Sequence, residues 1–456
     1  MSAARAVAPA VAVVGAAWAL PRWLPPAVIR LREGIFRRVN GTEGIPVPGP
    51  LVGAEDFERV YADPAARGRS RGAGLSDLFW YWLAPGPHMH QEHLEPGEQY
   101  ETVARVTRSV LAVPPARAEA LAGAATRRRL ADLPRDRLSL VRLRDLMMGV
   151  WAEVYHELVF GAACSPDARA LIVANADDVV TALKCCGLRH LRRRERLTGY
   201  LLGRIEAGTA PITLPEPFTA QESAWYLQGA FFNTAVVQMS EAMAHLLLDV
   251  AQNPAVQQRL AAVVDDDGPA ADALLDRVID ETLRVHPLFG VAHRVTSAPI
   301  EVTPEVTLPA GSVLLFNYLA DQRTGPAADG GYDPDRWLDL RRRDAHFVPF
   351  GVAANRACPA RGIAPAMMRG AVREVLRGFS LSSSVSHTRS LPGRGACYLV
   401  PAGLAGPGPA RLAAMAARDR WSDVGRSLQQ LVLGTWMVLE ARRERPCTRH
   451  FAGVAG

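Results

Sequence analysis

The stretch Val348-Pro349-Phe350-Gly351-Val352-Ala353-Ala354-Asn355-Arg356-Ala357-Cys358-Pro359-Ala360-Arg361-Gly362-Ile363-Ala364 decides most of what this sequence says about its fold. An aromatic residue and a glycine mark a turn, and an arginine stands two residues before a cysteine. A proline follows the cysteine and opens a helix-like run that reaches Phe379. A lone cysteine is more often a small buried apolar side chain than a ligand. A helix starting just after Cys358 would aim unpaired amide N–H groups at the sulfur and favour its thiolate.

Working outward, three further signals precede this stretch in order. Asp333-Pro334-Asp335-Arg336-Trp337 comes first, Arg294 lies before it, and Glu281-Thr282-Leu283-Arg284 lies before that. The last sits in a helical segment, near Ala271 to Val285, stopped by His286-Pro287. Glu281 and Arg284, three apart, share one face and can pair, although in a chain this rich in arginine the pairing alone proves little. Still earlier, a proline-free run opens at Pro217, with Thr219 and Glu222 spaced as a capping box, and continues to Asn253-Pro254. At 1.5 Å per residue it would stretch roughly 50 Å, across a whole domain. The remainder reads as helices punctuated by Pro and Gly, with short apolar β-like runs at Gly311 to Tyr318 and Ala396 to Val400. The fold class is therefore mainly α with a minor β portion.

The chain has 456 residues, 49% hydrophobic and 21% charged, enough to bury a large core in one domain or two close-packed lobes. Lys+Arg number 52 against 46 Asp+Glu, and Lys184 is the sole lysine. A net charge of +6 spread over this length suits an acidic redox partner or an anionic membrane, but concentrates into no footprint for nucleic acid. Cys164, Cys185, Cys186, Cys358, Cys397 and Cys447 form no CxxC pair and have no His-rich companion motif. Neither a zinc site nor a disulfide framework is indicated, and reduced thiols in a cytoplasmic protein are the simplest reading.

The four ordered signals together resemble the cytochrome P-450 superfamily, over roughly Thr219 to Val400 and more weakly in the N-terminal half. The resemblance implies a P-450-like fold with a long central helix over heme b. Glu281 and Arg284 look like the family's Glu-x-x-Arg pair, and Arg336 like the arginine completing an ion triad that fixes the segment before the heme loop. Cys358 stands where the family has its thiolate ligand to the heme iron, a ligand that pushes electron density onto iron and favours O–O cleavage. Arg294 and Arg356 match positions that contact the heme propionates, and Phe350 opens the heme loop. On the long helix Thr234 keeps a hydroxyl at the oxygen-binding turn, with Asn233 beside it. Phe231, Phe232, Phe289 and Val291 fall where the family lines its substrate cavity.

The pattern departs from the family in several places. Ala354 and Ala360 replace glycines, and the loop from Phe350 to Cys358 is one residue longer than the common form, so it must find a different turn. Gln99 and Val103 stand where a His and an Arg usually reach the propionates, leaving Arg105 or Arg108 to compensate. The long helix reads Ala230-Phe231-Phe232-Asn233-Thr234, with Phe231 for a glycine and Asn233 for an acid. An amide cannot ionise, so it cannot relay protons as a carboxylate would.

The resemblance implies a monooxygenase that inserts one oxygen atom into a hydrophobic small molecule. No flavin or nicotinamide domain is visible, so electrons come from a separate donor, a ferredoxin or reductase, docking near Cys358 and Arg361. A second reading follows Phe232-Asn233-Thr234 and Asn355-Arg356-Ala357-Cys358, which resemble the allene oxide synthase and hydroperoxide lyase branch, whose members rearrange hydroperoxides without reductant. A third is a heme-binding subunit without turnover.

Outside the heme domain, taken as 46–402, two terminal segments stand apart. Residues 1–45 hold a small-residue apolar run from Ala6 to Leu20 and a Pro-rich connector through Pro21, Pro25 and Pro26. The run is short of the roughly 20 apolar residues of a spanning helix. A signal, a peripheral membrane anchor and an ordinary buried segment all fit it. Residues 403–456 read as a Gly/Pro hinge followed by an appended helix in Leu428 to Arg442.

Overall fold

The computed structural model of the chain describes residues 2–40, 44–69, 71, 73–83, 89, 93–288, 290–328, 331–385, 387 and 395–454. Helices dominate, as the periodicity predicts, and the strands gather into three small sheets. Val291–Val295 and Ile45–Val47 flank Val313–Asn317; Ser139–Arg142 and Phe379–Ser382 flank Ala396–Pro401; Ile300–Thr303 pairs with Val306–Leu308.

The long helix is present and opens as expected. Thr219 accepts the Glu222 backbone N–H and Glu222 returns the bond to the Thr219 N–H. It is not uniform: an α segment, Ala220–Leu227, widens into a π segment, Gln228–Ala235, before Val236–Gln252 resumes α geometry. Val236–Gln252 packs on Leu143–Phe160, and Ala364–Gly378 packs on Pro115–Ala131. Gly370 permits the second contact, since a Cβ there would stand 2.3 Å from the Glu119 carbonyl oxygen. These helices share one apolar core that includes Trp151, Tyr155, Phe231, Met367 and Leu399. A smaller core of Val47, Phe57, Tyr61, Leu314 and Phe316 lies beneath the sheet around Val313–Asn317.

The ends differ from the sequence reading. No Pro-rich connector forms, because one helix, Ser2–Asn40, runs through Pro21, Pro25 and Pro26. The C-terminal helix starts earlier than Leu428 and spans Pro409–Glu444, with a short helix Pro446–Val454 after it. The two long terminal helices pack on each other. Phe36 and Val39 of one join Met437, Val438 and Ala441 of the other around Leu78, Tyr81 and Cys185. Among the described residues no helix is long and apolar enough to cross a membrane.

Candidate active site

The lengthened loop closes on itself and is then clamped from outside. Gly351 adopts φ +74°, a conformation side chains rarely take, and the Cys358 N–H donates to the Phe350 carbonyl at 2.8 Å. Asn355 is buried, and its amide donates to the carbonyls of Tyr61 at 2.7 Å and Ala66 at 2.8 Å. These bonds anchor the loop to the smaller core. One expectation is corrected: the helix begins at Ala364, and residues 359–363 are turns. The Arg361 N–H bonds the Cys358 carbonyl at 3.2 Å. All six cysteines are free thiols, and Cys358 is half-buried.

Arginines gather around this loop and the residues that anchor it. Arg356, at φ +55°, donates to the Leu94 carbonyl at 2.7 Å and lies over the Tyr100 ring at 4.1 Å. Arg294 is buried, donates to the Tyr61 hydroxyl at 2.7 Å and to the His293 carbonyl at 2.8 Å, and leaves its Nε without a partner. Arg69, which sequence reading missed, is buried and donates to the His293 carbonyl at 2.6 Å. His293 is held well below its ordinary pKa, first by burial and then by Arg69, with Arg294 and Arg356 adding to the effect. A cavity of about 310 Å³ at Cys358 is lined by Arg67, Tyr100, Arg108, Arg356 and Arg361. Arg108 thus shares the Cys358 cavity, whereas Arg105 bonds Thr102 and Val103 is core. Buried guanidinium groups, one with an unused Nε, in a fold that also half-buries the Cys358 thiol fit a dianionic heme with a thiolate ligand. Across the interior Tyr155 packs 6.4 Å from Phe231, and its pKa is raised by burial first and by the nearby Cys358 second.

The expected ion triad is assembled in full. Both Glu281 carboxylate oxygens take bonds from Arg284, at 2.7 and 2.9 Å. Arg336 Nε, Trp337 Nε1 and the Asp333 N–H close on the same carboxylate at 3.1, 3.1 and 2.8 Å. Arg284 also reaches the Ala327 carbonyl at 2.9 Å, so one buried glutamate organises the segment leading to the heme loop.

On the central helix the structure gives Asn233 a partner that the sequence does not announce. Its Oδ1 accepts from Asn175 Nδ2 at 2.6 Å, and Asn175 Oδ1 accepts from Gln228 Nε2 at 2.9 Å. Five residues make one π-helical repeat, so Gln228 and Asn233 share a face and Asn175 bridges the widened turn. The chain of bonds continues from Gln228 to the Arg194 carbonyl at 3.1 Å and to Thr198, and Arg194 Nε meets Asp178 at 2.5 Å. Thr234 follows in the same π segment and is half-buried.

The four expected pocket residues separate. Phe231 and Phe232 are fully buried in the main core, where Phe231 meets Tyr226 edge-on at 6.0 Å. Val291 is 45% exposed and lines a different cavity, of about 630 Å³, with Phe36, Phe79, Trp82 and Val438. Phe289 lies outside the described residues.

Comparison with known proteins agrees with this geometry. The family described as cytochrome P450 matches residues 222–399. A putative cytochrome P450 135B1 of Mycobacterium tuberculosis is 33% identical over 155 residues, 31% of this chain and 31% of that protein. Mouse mitochondrial 1,25-dihydroxyvitamin D(3) 24-hydroxylase is 28% identical over 169 residues, 33% of this chain and 32% of that protein. The matches thus span about a third of these relatives. A six-coordinated cytochrome P450 from Thermus thermophilus superposes with TM-score 0.59 at 17% identity, covering 76% of this chain and 90% of that one. Another P450, CYP102L1, gives 0.59 at 18% identity, covering 82% and 96%. Likenesses at such identity establish the fold.

Proposed function

The chain belongs to the cytochrome P450 superfamily, and from that premise we propose that it is a heme-thiolate monooxygenase acting on a hydrophobic small molecule. The observation that carries the reading is the closed loop that puts Cys358 and Arg356 on one cavity, with buried Arg294 bonded to Tyr61, the same residue that anchors the loop through Asn355. Bound there, heme b would supply dioxygen activation, with Cys358 as its axial ligand and electrons from a separate donor. Arg294 and Arg356, with Arg69 bonded to the same His293 carbonyl as Arg294, would neutralise the propionates. Phe350 would pack at the loop's opening. Thr234 would offer a hydroxyl to bound oxygen, and Phe231 and Phe232 would keep bulk water from the interior. Arg67, Arg108 and Arg361, exposed around the Cys358 cavity, form a cationic rim suited to an acidic electron donor. Peripheral membrane contact falls to Trp23 and Leu31 on the outer face of the N-terminal helix, and liposome flotation tests it.

The deciding experiment is the reduced, carbon monoxide difference spectrum of the wild type beside Cys358→Ala. A strongly red-shifted Soret band that the variant loses supports the proposal; no heme, or a band indifferent to Cys358, ends it. Reductant-dependent oxygen uptake with a surrogate electron donor then tests the monooxygenase step.

One observation favours a second reading. The group beside Thr234 is an amide already bonded to Asn175, so no carboxylate stands there to deliver protons. A hydroperoxide-rearranging enzyme needs no such delivery. Rapid turnover of a fatty-acid hydroperoxide without reductant, and none of dioxygen with it, would select this reading.

A further inference from the structure

Three imidazoles from distant parts of the chain meet near the C-terminal end of the central helix. His245 lies on Val236–Gln252, His286 directly follows Pro269–Val285, and His387 lies between the strands Phe379–Ser382 and Ala396–Pro401. One ring nitrogen from each lies within 4.8 Å of the other two. The Nδ1 atoms of His245 and His387 are 2.8 Å apart, and the His286 and His387 rings stack at 3.7 Å.

Asp249, one helical turn after His245, completes the group. It is 5% exposed; its Oδ1 lies 3.2 Å from Nε2 of His286 and 3.2 Å from Nε2 of His387, and its Oδ2 is buried with no partner. The other ionisable groups facing the cluster are otherwise engaged. Glu241 is paired with Arg144 and Lys184, and the Tyr332 hydroxyl bonds Thr282 and the Val278 carbonyl. A buried carboxylate with an unused oxygen against three clustered imidazoles is costly as a purely structural arrangement.

We propose that His245, His286, His387 and Asp249 bind one divalent transition-metal ion, with zinc the best chemical match, at a site separate from Cys358. Zinc takes nitrogen and carboxylate ligands at about 2.0–2.2 Å in a tetrahedron, which sets ligand atoms about 3.3 Å apart. The two separations between Asp249 and the imidazoles already have that length. Calcium and magnesium demand oxygen ligands and are excluded by the three nitrogens. Four protein ligands leave no open position, so the ion is structural. It ties the central helix, the end of the Glu281–Arg284 helix and the loop after Phe379–Ser382 into one node. The ion competes with protons for the imidazole nitrogens, so affinity falls as pH falls. Ligands this far apart in the chain leave no spacing motif, which is why the sequence indicates no zinc site.

The test uses the full-length, heme-loaded protein stripped with EDTA and titrated with Zn²⁺ against a chromogenic chelator. Metal content after gel filtration is read by mass spectrometry. About one zinc per chain is expected, with affinity reduced at least about tenfold in His245→Ala, His387→Ala and Asp249→Asn. The exposed His190→Ala should bind as the wild type does. The carbon monoxide spectrum of each variant shows whether it has folded with heme. Wild-type protein that retains no zinc overturns the proposal without reference to any variant, and so does equal retention by wild type and by the triple histidine variant.

Discussion

Two buried polar networks flank the heme region, and they are built on different plans. Around Glu281 every partner of one carboxylate is a cation or an N–H donor, and the glutamate has no exposure. Around Asn175 the network begins as an ion pair, Asp178 with Arg194, both side chains fully buried. It then passes through neutral groups to Asn233. The first network fixes the path of the chain; the second fixes the shape of a helix. Charge serves where several segments must converge on one point, because a stranded charge is severely penalised. Amides serve where a backbone irregularity must be bridged, because each donates and accepts at once.

The largest effect should come from the charged node. Arg284→Ala strands Glu281 and should cost about 3–5 kcal/mol, with heme incorporation lost; pyridine hemochrome content and urea unfolding measure both. Arg194→Met should cost somewhat less, on the order of 3 kcal/mol, because Asp178 keeps the His190 N–H at 2.8 Å. Heme retention in that variant is the key readout. If it loses heme as completely as Arg284→Ala, the two networks are not distinct in role.

Asn175→Ala removes the bridge across the π turn, taking the partner of Asn233 Oδ1 and one of the partners of Gln228, at about 1–3 kcal/mol. Hydrogen exchange over residues 228–235 should accelerate before global unfolding does. Unchanged protection there would mean that the π turn holds without Asn175.

The smallest effect concerns a buried carboxylate that belongs to no network. Asp423, on the C-terminal helix, has Oδ1 buried without a partner, and burial first, then Asp419, raises its pKa to about 6. The folded protein therefore holds a proton that the unfolded chain, with a carboxyl pKa near 3.9, has released. Stability is full below about pH 4, falls between pH 4 and 6, and stays reduced above. Asp423→Asn should raise the Tm at pH 8, by the equivalent of about 1 kcal/mol given its partial exposure, and leave it unchanged at pH 4. A gain at both pH values would place the effect elsewhere.

The same contrast explains what was legible in the sequence. Glu281, Arg284, Arg336 and Cys358 sit in short local patterns, and the structure assembles the triad as expected. The capping box at Thr219 was readable for the same reason, since its partners are three residues apart. Asn175 carries no local signal, because its bonds reach across to another helix and depend on a π segment that no periodicity reports. Arg69 was hidden among many similar arginines. The terminal helix was misread through its prolines, which would interrupt an isolated helix yet are accommodated here in one packed against a partner. Val291 was assigned by order along the chain, and a strand with one face toward the outer cavity placed it away from Phe231.

The pairing of Ser2–Asn40 with Pro409–Glu444 also has a consequence for biosynthesis. Ser2–Asn40 is synthesised well before Pro409–Glu444, so its inner face, with Phe36 and Val39, waits through the synthesis of everything between the two. Nascent chains halted before Pro409 should therefore present that face to chaperones and proteases, whereas chains extended past Glu444 conceal it.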